Sequence, residues 1–275
     1  MKGLGTVFKE VYGKGLEPYG FKKIKGRQPY FVRLVGDEII HVITYQPGWV
    51  GEEGYRGFFV AGGVATVYRP KIDLDETPSR SNWIKHVLDF YKYPYLEKKI
   101  NMFDEWYRIK YRIGDEASMY GAINYSFDSI KQVILPIFDK ISGLKKADDY
   151  FRKYNASLLE IYCSDEQFGT ARIGNEDNEG LLELILYSVD EYKKLKETDR
   201  KESMEEDLYL FKEGKTGWTT ESFEMSQKEY DKIMKEEIEK FVKIKNNSME
   251  MKKVIEELER RKKINIERLR KYGII

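Results

Sequence analysis

A proline-and-glycine corner followed by three apolar runs constrains this chain more than any other feature. Leu16-Glu17-Pro18-Tyr19-Gly20-Phe21 closes a helical stretch, and Tyr30 to Val35, Ile39 to Tyr45 and Arg56 to Tyr68 have strand-like composition. Upstream, Gly3 to Leu16 predicts a helix that buries Val7, Val11 and Leu4 on one stripe with Phe8 flanking it. Pro18 stops that helix because proline has no N–H for the backbone ladder. Gly36 and Asp37 form a natural tight turn, so the strands on either side of it predict an antiparallel hairpin. The unit carries no catalytic or ligand-binding signature.

Beyond the hairpin, glycines 48, 51, 54 and 57 mark an exposed loop, and Gly62-Gly63 inside a strand pattern suggests a bulge or a close backbone approach. Trp83 to Tyr91 reads as a short helix. Trp106 to Ile113 alternates most cleanly: Tyr107, Ile109, Tyr111 and Ile113 share one face, and Arg108, Lys110 and Arg112 share the other. That pattern is a half-buried strand with a basic outer face. Ser126 or Asp128 then caps a helix through Ile141, bent at Pro136.

Further on, Leu158 to Tyr162 and Leu208 to Phe211 are short strand candidates, and Glu179 to Lys196 is an amphipathic helix. Ser226-x-x-Glu229 is a capping-box signature for a helix through Tyr230, Met234, Ile238 and Phe241. Asn246-Asn247-Ser248 breaks it, and a second helix follows from Met251 to Tyr272, giving a charged helical hairpin. Lys262 and Asn265 interrupt the apolar stripe of that last helix, which argues against a long coiled coil. The expected fold is α+β: an N-terminal helix on a mainly antiparallel sheet (1–146), an acidic mixed α/β segment (147–225) and a C-terminal helical hairpin (226–275).

Several pieces of the first part occur in a familiar order. Phe8-Lys9-Glu10-Val11, Leu16-x-Pro18-x-Gly20-Phe21-Lys22-Lys23, Tyr30-Phe31-Val32-Arg33, Ile39 to Gln46 and Phe59-x-x-Gly62-Gly63-Val64 together resemble the domain of unknown function 4304 family over about residues 1–115. The resemblance implies a fold unit with no assigned activity. It also implies that Arg33 and Gln46, at positions matching the family pattern, are binding candidates.

Composition narrows the function classes. At 275 residues, 41% hydrophobic and 35% charged, the chain has the composition of a globular protein with a highly charged surface. No apolar run reaches the length of a spanning helix, and the first residues do not read as a secretory signal. A single cysteine, Cys163, excludes an intramolecular disulfide and a Cys-rich zinc site, so a reducing, cytoplasmic setting is expected. The net charge of +1 conceals a division: residues 147–225 carry 20 acids against 10 bases, between two basic ends.

Motifs with chemistry are few. Gly214-Lys215-Thr216 lacks the upstream glycine of a phosphate loop, where Tyr209 stands, and reads as a turn after a strand. Asp73, Asp75 and Glu76 lack the glycine and distal Glu of a calcium loop. Of the two histidines, His41 alternates with Ile39, Ile43 and Tyr45 as a packing residue, and His86 falls on the expected short helix. No cofactor or metal is implied. Phe90 to Tyr95 with Arg108, Lys110 and Arg112 has the aromatic-basic composition of single-strand nucleic-acid binders, but no nucleic-acid module accompanies it. The function expected is a non-enzymatic interaction or regulatory protein of immunity-type character. Its candidate contact residues are Arg33, Gln46, Arg108, Lys110 and Arg112, its expected partner is another protein, and no membrane is involved. Nucleic-acid binding, and a hydrolase or nucleotide-modifying site built from carboxylates and tyrosines, are the alternatives.

Overall fold

The computed structural model describes residues 2–25, 30–48, 53–70, 72, 74–75, 85–86, 109–152, 181–214 and 216–275. The expected strand at Leu158 to Tyr162, the aromatic run from Phe90 to Tyr95, and Arg108 and Cys163 lie outside them. The fold is α+β. It divides into two compact units, Met1–Arg172 with Arg261–Ile275, and Ile173–Arg260.

In the first unit, helix α1 (Leu4–Leu16) runs into a single 3-10 turn, Glu17–Tyr19, and Gly20 reverses the chain at φ 78°. Pro18 sits in that turn, as its missing N–H requires. The buried stripe of α1 is Val7, Phe8, Tyr12 and Leu16, and the expected Leu4 and Val11 are only half-buried. Aromatic packing rotates the helix this way. Phe8 stacks on Tyr45 at 3.7 Å and meets Phe58 edge-on at 4.9 Å, while Tyr12 meets Phe127 at 5.1 Å.

The strands β1 (Lys22–Lys23), β2 (Tyr30–Val35), β3 (Ile39–Gly48) and β4 (Tyr55–Thr66) pair in order, all antiparallel. Strand β4 also takes β5 (Lys85–His86) and β6 (Ile109–Arg112), again antiparallel. At the β2–β3 turn both Gly36 (φ 59°) and Asp37 (φ 57°) are left-handed, the conformation a tight hairpin demands. Of the two features that Gly62-Gly63 suggested, a bulge or a close backbone approach, the bulge is absent: the β3–β4 register runs unbroken from Ile39↔Thr66 to Gly48↔Gly57. Gly63 pairs with Val42 on one side and His86 on the other, so an extra residue there would disrupt two ladders. His86 itself, expected on a helix, is a strand residue.

Both faces of β2 and β3 are covered. Phe31, Ile39, His41 and Ile43 are buried on the α1 side, and Tyr30, Val32, Ile40, Val42 and Thr44 on the other. After β6, helix α2 (Glu116–Ser129) starts eleven residues earlier than a Ser126 cap implies, because Asp115 caps it by accepting from Ser118 N–H at 2.8 Å. Ser126 is instead buried inside the helix. Its hydroxyl donates to the Ile123 carbonyl at 2.7 Å and accepts from Tyr12 at 2.7 Å. The bend expected at Pro136 takes the form of a widened π turn, Ile130–Ile134, where Leu135 N–H reaches back to Ile130 O. Helix α3 (Leu135–Lys140) then carries Pro136 in its first turn, and α4 (Leu144–Arg152) follows.

In the second unit, the helix expected at Glu179 to Lys196 is two helices, α5 (Leu181–Leu186) and α6 (Val189–Lys212). Ser188 and Glu191 form a capping box at the break. Leu208 to Phe211, expected as a strand, is the last turn of α6. So short an apolar run has no period of its own, and the helix behind it prevails. Gly214 (φ 63°) then ends α6, so the Gly214 turn follows a helix instead of a strand.

Helix α7 (Thr220–Lys245) begins six residues before Ser226, capped reciprocally by Thr219 and Ser222. Trp218 packs against Phe223 at 6.0 Å, a hydrophobic staple that fixes this earlier start. Helix α8 (Ser248–Lys271) completes the C-terminal helical pair across Asn246 and Asn247, whose carbonyl side chain accepts from Met249 and Glu250 N–H.

The α6–α7 hairpin has an aromatic stack at each end and polar pairs between. Tyr192 stacks on Phe241 at 3.8 Å near its base, and Phe211 on Phe223 at 4.9 Å near its tip. Between them stand Lys196 with Glu237 at 3.0 Å, Arg200 with Asp231, and Gln227 donating to Asp207 at 3.3 Å. Burial lowers the Lys196 ammonium, but Tyr192, Glu183 and Glu237 outweigh it and raise it on balance, so Lys196 stays charged.

Candidate functional site

Strand β6 presents the basic outer face that its alternation predicts. Ile109 and Tyr111 are buried, with Tyr111 near Phe58 at 6.3 Å, while Lys110 and Arg112 are exposed. Register places Gly57, which is buried, opposite Lys110 and Tyr55 opposite Arg112. Arg112 Nε donates to Tyr55 Oη at 3.1 Å, and its guanidinium lies 6.0 Å from the Tyr55 ring. The Tyr55 hydroxyl, and Asp115 more weakly, hold Arg112 above the usual guanidinium range. The strand end is tied down by Arg112 N–H to Ser118 Oγ at 3.0 Å and Ile113 N–H to Gly54 O at 2.8 Å. The result is a basic strip with one aromatic rim, fixed to the N-terminus of α2.

Arg33 is placed differently. Its Nε donates to His41 Nδ1 at 3.0 Å, Nη1 donates to Tyr19 O at 2.9 Å, and Nη2 lies 3.4 Å from Asp139 Oδ1. The guanidinium also covers the Phe21 ring at 4.8 Å. Because Arg33 can only donate, His41 Nδ1 accepts, and His41 Nε2–H donates to Ile141 O at 2.8 Å. The imidazole stacks on Phe138 at 4.4 Å. Burial, and after it the Arg33 charge, push His41 down to about 3, so the ring is neutral. Burial lowers Arg33 as well, and Asp139 opposes it. Both nitrogens of His41 are thus committed to holding the end of α3 on the sheet, which leaves neither available as a base.

The five sequence candidates do not converge on one spot. Lys110 and Arg112 are side by side on β6, and Gln46 lies opposite Phe59 on β3, by register across β4 from the start of β6. Arg33 pairs with His41, five residues away along β3, or about 17 Å of strand. Arg108 falls outside the described residues. Tyr55 was not among the sequence candidates; alternation within β6 carries no information about which β4 residue lies opposite.

Among the described residues, no three His, Cys, Asp or Glu side chains gather as metal ligands. Among them also, no helix is long and apolar enough to cross a membrane. No family model, curated protein or solved structure matches the chain.

Proposed function

We propose that this chain is a non-enzymatic, cytoplasmic protein-binding module that docks an acidic segment of a partner on the outer face of β6. The resemblance to the domain of unknown function 4304 family supplies a scaffold and no activity. The observation that carries the reading is the Lys110, Arg112 and Tyr55 strip: two outward cations at a two-residue spacing, one of them oriented by a tyrosine. That spacing, about 7 Å along a strand, matches alternate acidic side chains of an extended peptide. Arg112 keeps donors beyond the Nε used by Tyr55, so a carboxylate can be taken without breaking that bond.

Nucleic-acid affinity grows with each phosphate neutralised and so falls steeply with salt. The discriminating measurement is binding of the purified chain to an acidic peptide, to single-stranded RNA and to DNA across a salt series. Binding to the acidic peptide that Lys110→Ala with Arg112→Ala abolishes is the expected result. Tight RNA or DNA binding that collapses steeply with salt would overturn it.

A further inference from the structure

A second surface, independent of β6, lies at the tip of the α6–α7 hairpin. Within about one and a half turns of the connecting loop stand Leu208, Tyr209, Trp218 and Met225, with 38%, 55%, 38% and 64% of their surface exposed. Successive helical residues are about 100° apart, so Leu208 and Tyr209 point to different sides of α6. Met225 is two residues past Phe223, which stacks across the seam, and so points away from α6. The apolar surface therefore surrounds the end of the hairpin instead of forming a stripe along it. A flat partner covers such an end poorly; a recess encloses it.

The tip is also built to stay in place. Gly214 ends α6, Thr219 and Ser222 cap α7, and Trp218 and Phe211 both pack on Phe223. The polar pairs of the seam join the two helices behind it, and Leu208 and Met225 take no part in them. Charge gives the partner its chemistry. Residues 202–227 carry seven acids against two bases, and residues 202–211 carry four acids and no base. Among the described residues of this stretch, Glu205, Glu213, Glu221 and Glu224 are exposed against one exposed base, Lys212, so the surface beside the apolar end is net acidic. It disfavours anionic lipid headgroups, which attract basic segments, and complements lysines and arginines.

We propose that the hairpin tip inserts end-on into an apolar recess of a partner protein whose rim carries Lys and Arg. A photo-reactive phenylalanine analogue placed at Met225 of the full chain, irradiated in its native cells, is expected to give one discrete protein adduct. The cross-linked peptide is expected to combine apolar residues with Lys or Arg. The same analogue at Lys232, exposed on the same helix, is expected to give none.

Glu205→Lys with Glu224→Lys, both exposed positions, is expected to reduce the adduct roughly tenfold, and Leu208→Ser with Tyr209→Ser to abolish it. Four outcomes would overturn the proposal: no adduct, equal adducts at both positions, an adduct with a second copy of the chain, or insensitivity to the charge reversal. Sedimentation with phosphatidylcholine–phosphatidylserine vesicles is the remaining arm. No binding is expected, and vesicle binding lost in Leu208→Ser with Tyr209→Ser would replace a protein recess with a lipid surface.

Discussion

Arg33 and His41 face each other across the β2–β3 hairpin, and a single hydrogen bond from Arg33 Nε to His41 Nδ1 fixes the tautomer of a fully buried imidazole. With Nδ1 accepting, Nε2 is the protonated nitrogen, and it holds the Ile141 carbonyl where α3 ends. A cross-strand pair thereby anchors a helix to the sheet.

That arrangement makes stability depend on acid. His41 has a folded value of about 3 against 6.5 when exposed, so it is neutral in the fold and takes up a proton on unfolding. The unfolded chain binds more protons below 6.5, and stability falls as the pH drops toward 3. Between pH 6.5 and about pH 5 the wild type is expected to lose about 1.5 kcal/mol more than His41→Gln. Urea melts of both chains at the two pH values check it, and parallel pH dependences would refute it.

Replacing Arg33 with lysine keeps the charge but not the fork. A lysine cannot serve His41 Nδ1, Tyr19 O and Asp139 together, and a buried acceptor is left without its donor. Arg33→Lys is expected to cost about 2 kcal/mol in chemical denaturation at neutral pH. A loss below about 0.5 kcal/mol, typical of an exposed contact residue, would mean that Arg33 is not part of the anchor.

Gly15 of α1 packs directly against Phe127 of α2. A Cβ at this position would lie 2.3 Å from the ring of Phe127, itself packed against Tyr12. In an open helix alanine would gain about 1 kcal/mol over glycine. Here overpacking wins, and Gly15→Ala is expected to destabilise by about 1–3 kcal/mol. Adding Phe127→Leu is expected to recover part of the loss, and a non-additive double-mutant cycle is the readout.

Asn265 pins the last half of α8. Its Oδ1 accepts from Ile72 N–H at 3.1 Å, and its Nδ2 donates to Val67 O at 2.8 Å and Arg69 O at 2.7 Å. Asn265→Leu preserves the apolar stripe yet strands three backbone groups, so a loss of about 3 kcal/mol or more is expected from thermal or urea melts. An unchanged or raised stability would show that the stripe alone holds the helix.

The parts of the fold legible in the sequence were those with a local cause. The Pro18 stop, the Gly36-Asp37 turn, the break at Asn246-Asn247 and the alternation of β6 follow from backbone conformation or side-chain period. What escaped was decided by contacts distant in sequence. Asn265 reads only as a flaw in an apolar stripe until the backbone of Val67, Arg69 and Ile72 is beside it. Phe8 and Tyr12, not Val11, define the buried face of α1 because Tyr45, Phe58 and Phe127 are there to receive them. In the candidate site, Lys110 and Arg112 were visible from alternation, but Tyr55 needed the β4–β6 register. The Arg33 and His41 pair escaped as well: a two-residue turn at Gly36-Asp37 sets Ile40 opposite Arg33, and only the three-residue loop, 36–38, brings His41 there.

The outer face of β6 is tested most directly by charge reversal in the intact protein. Lys110→Glu with Arg112→Glu alters two exposed side chains, and an unchanged melting temperature establishes that the fold is kept. Proteins co-purifying with the wild type and with this variant are quantified side by side. At least one partner with an acidic contact segment is expected to fall roughly tenfold or more in the variant. The same partners recovered in the same amounts from both chains would contradict a binding role for this strip.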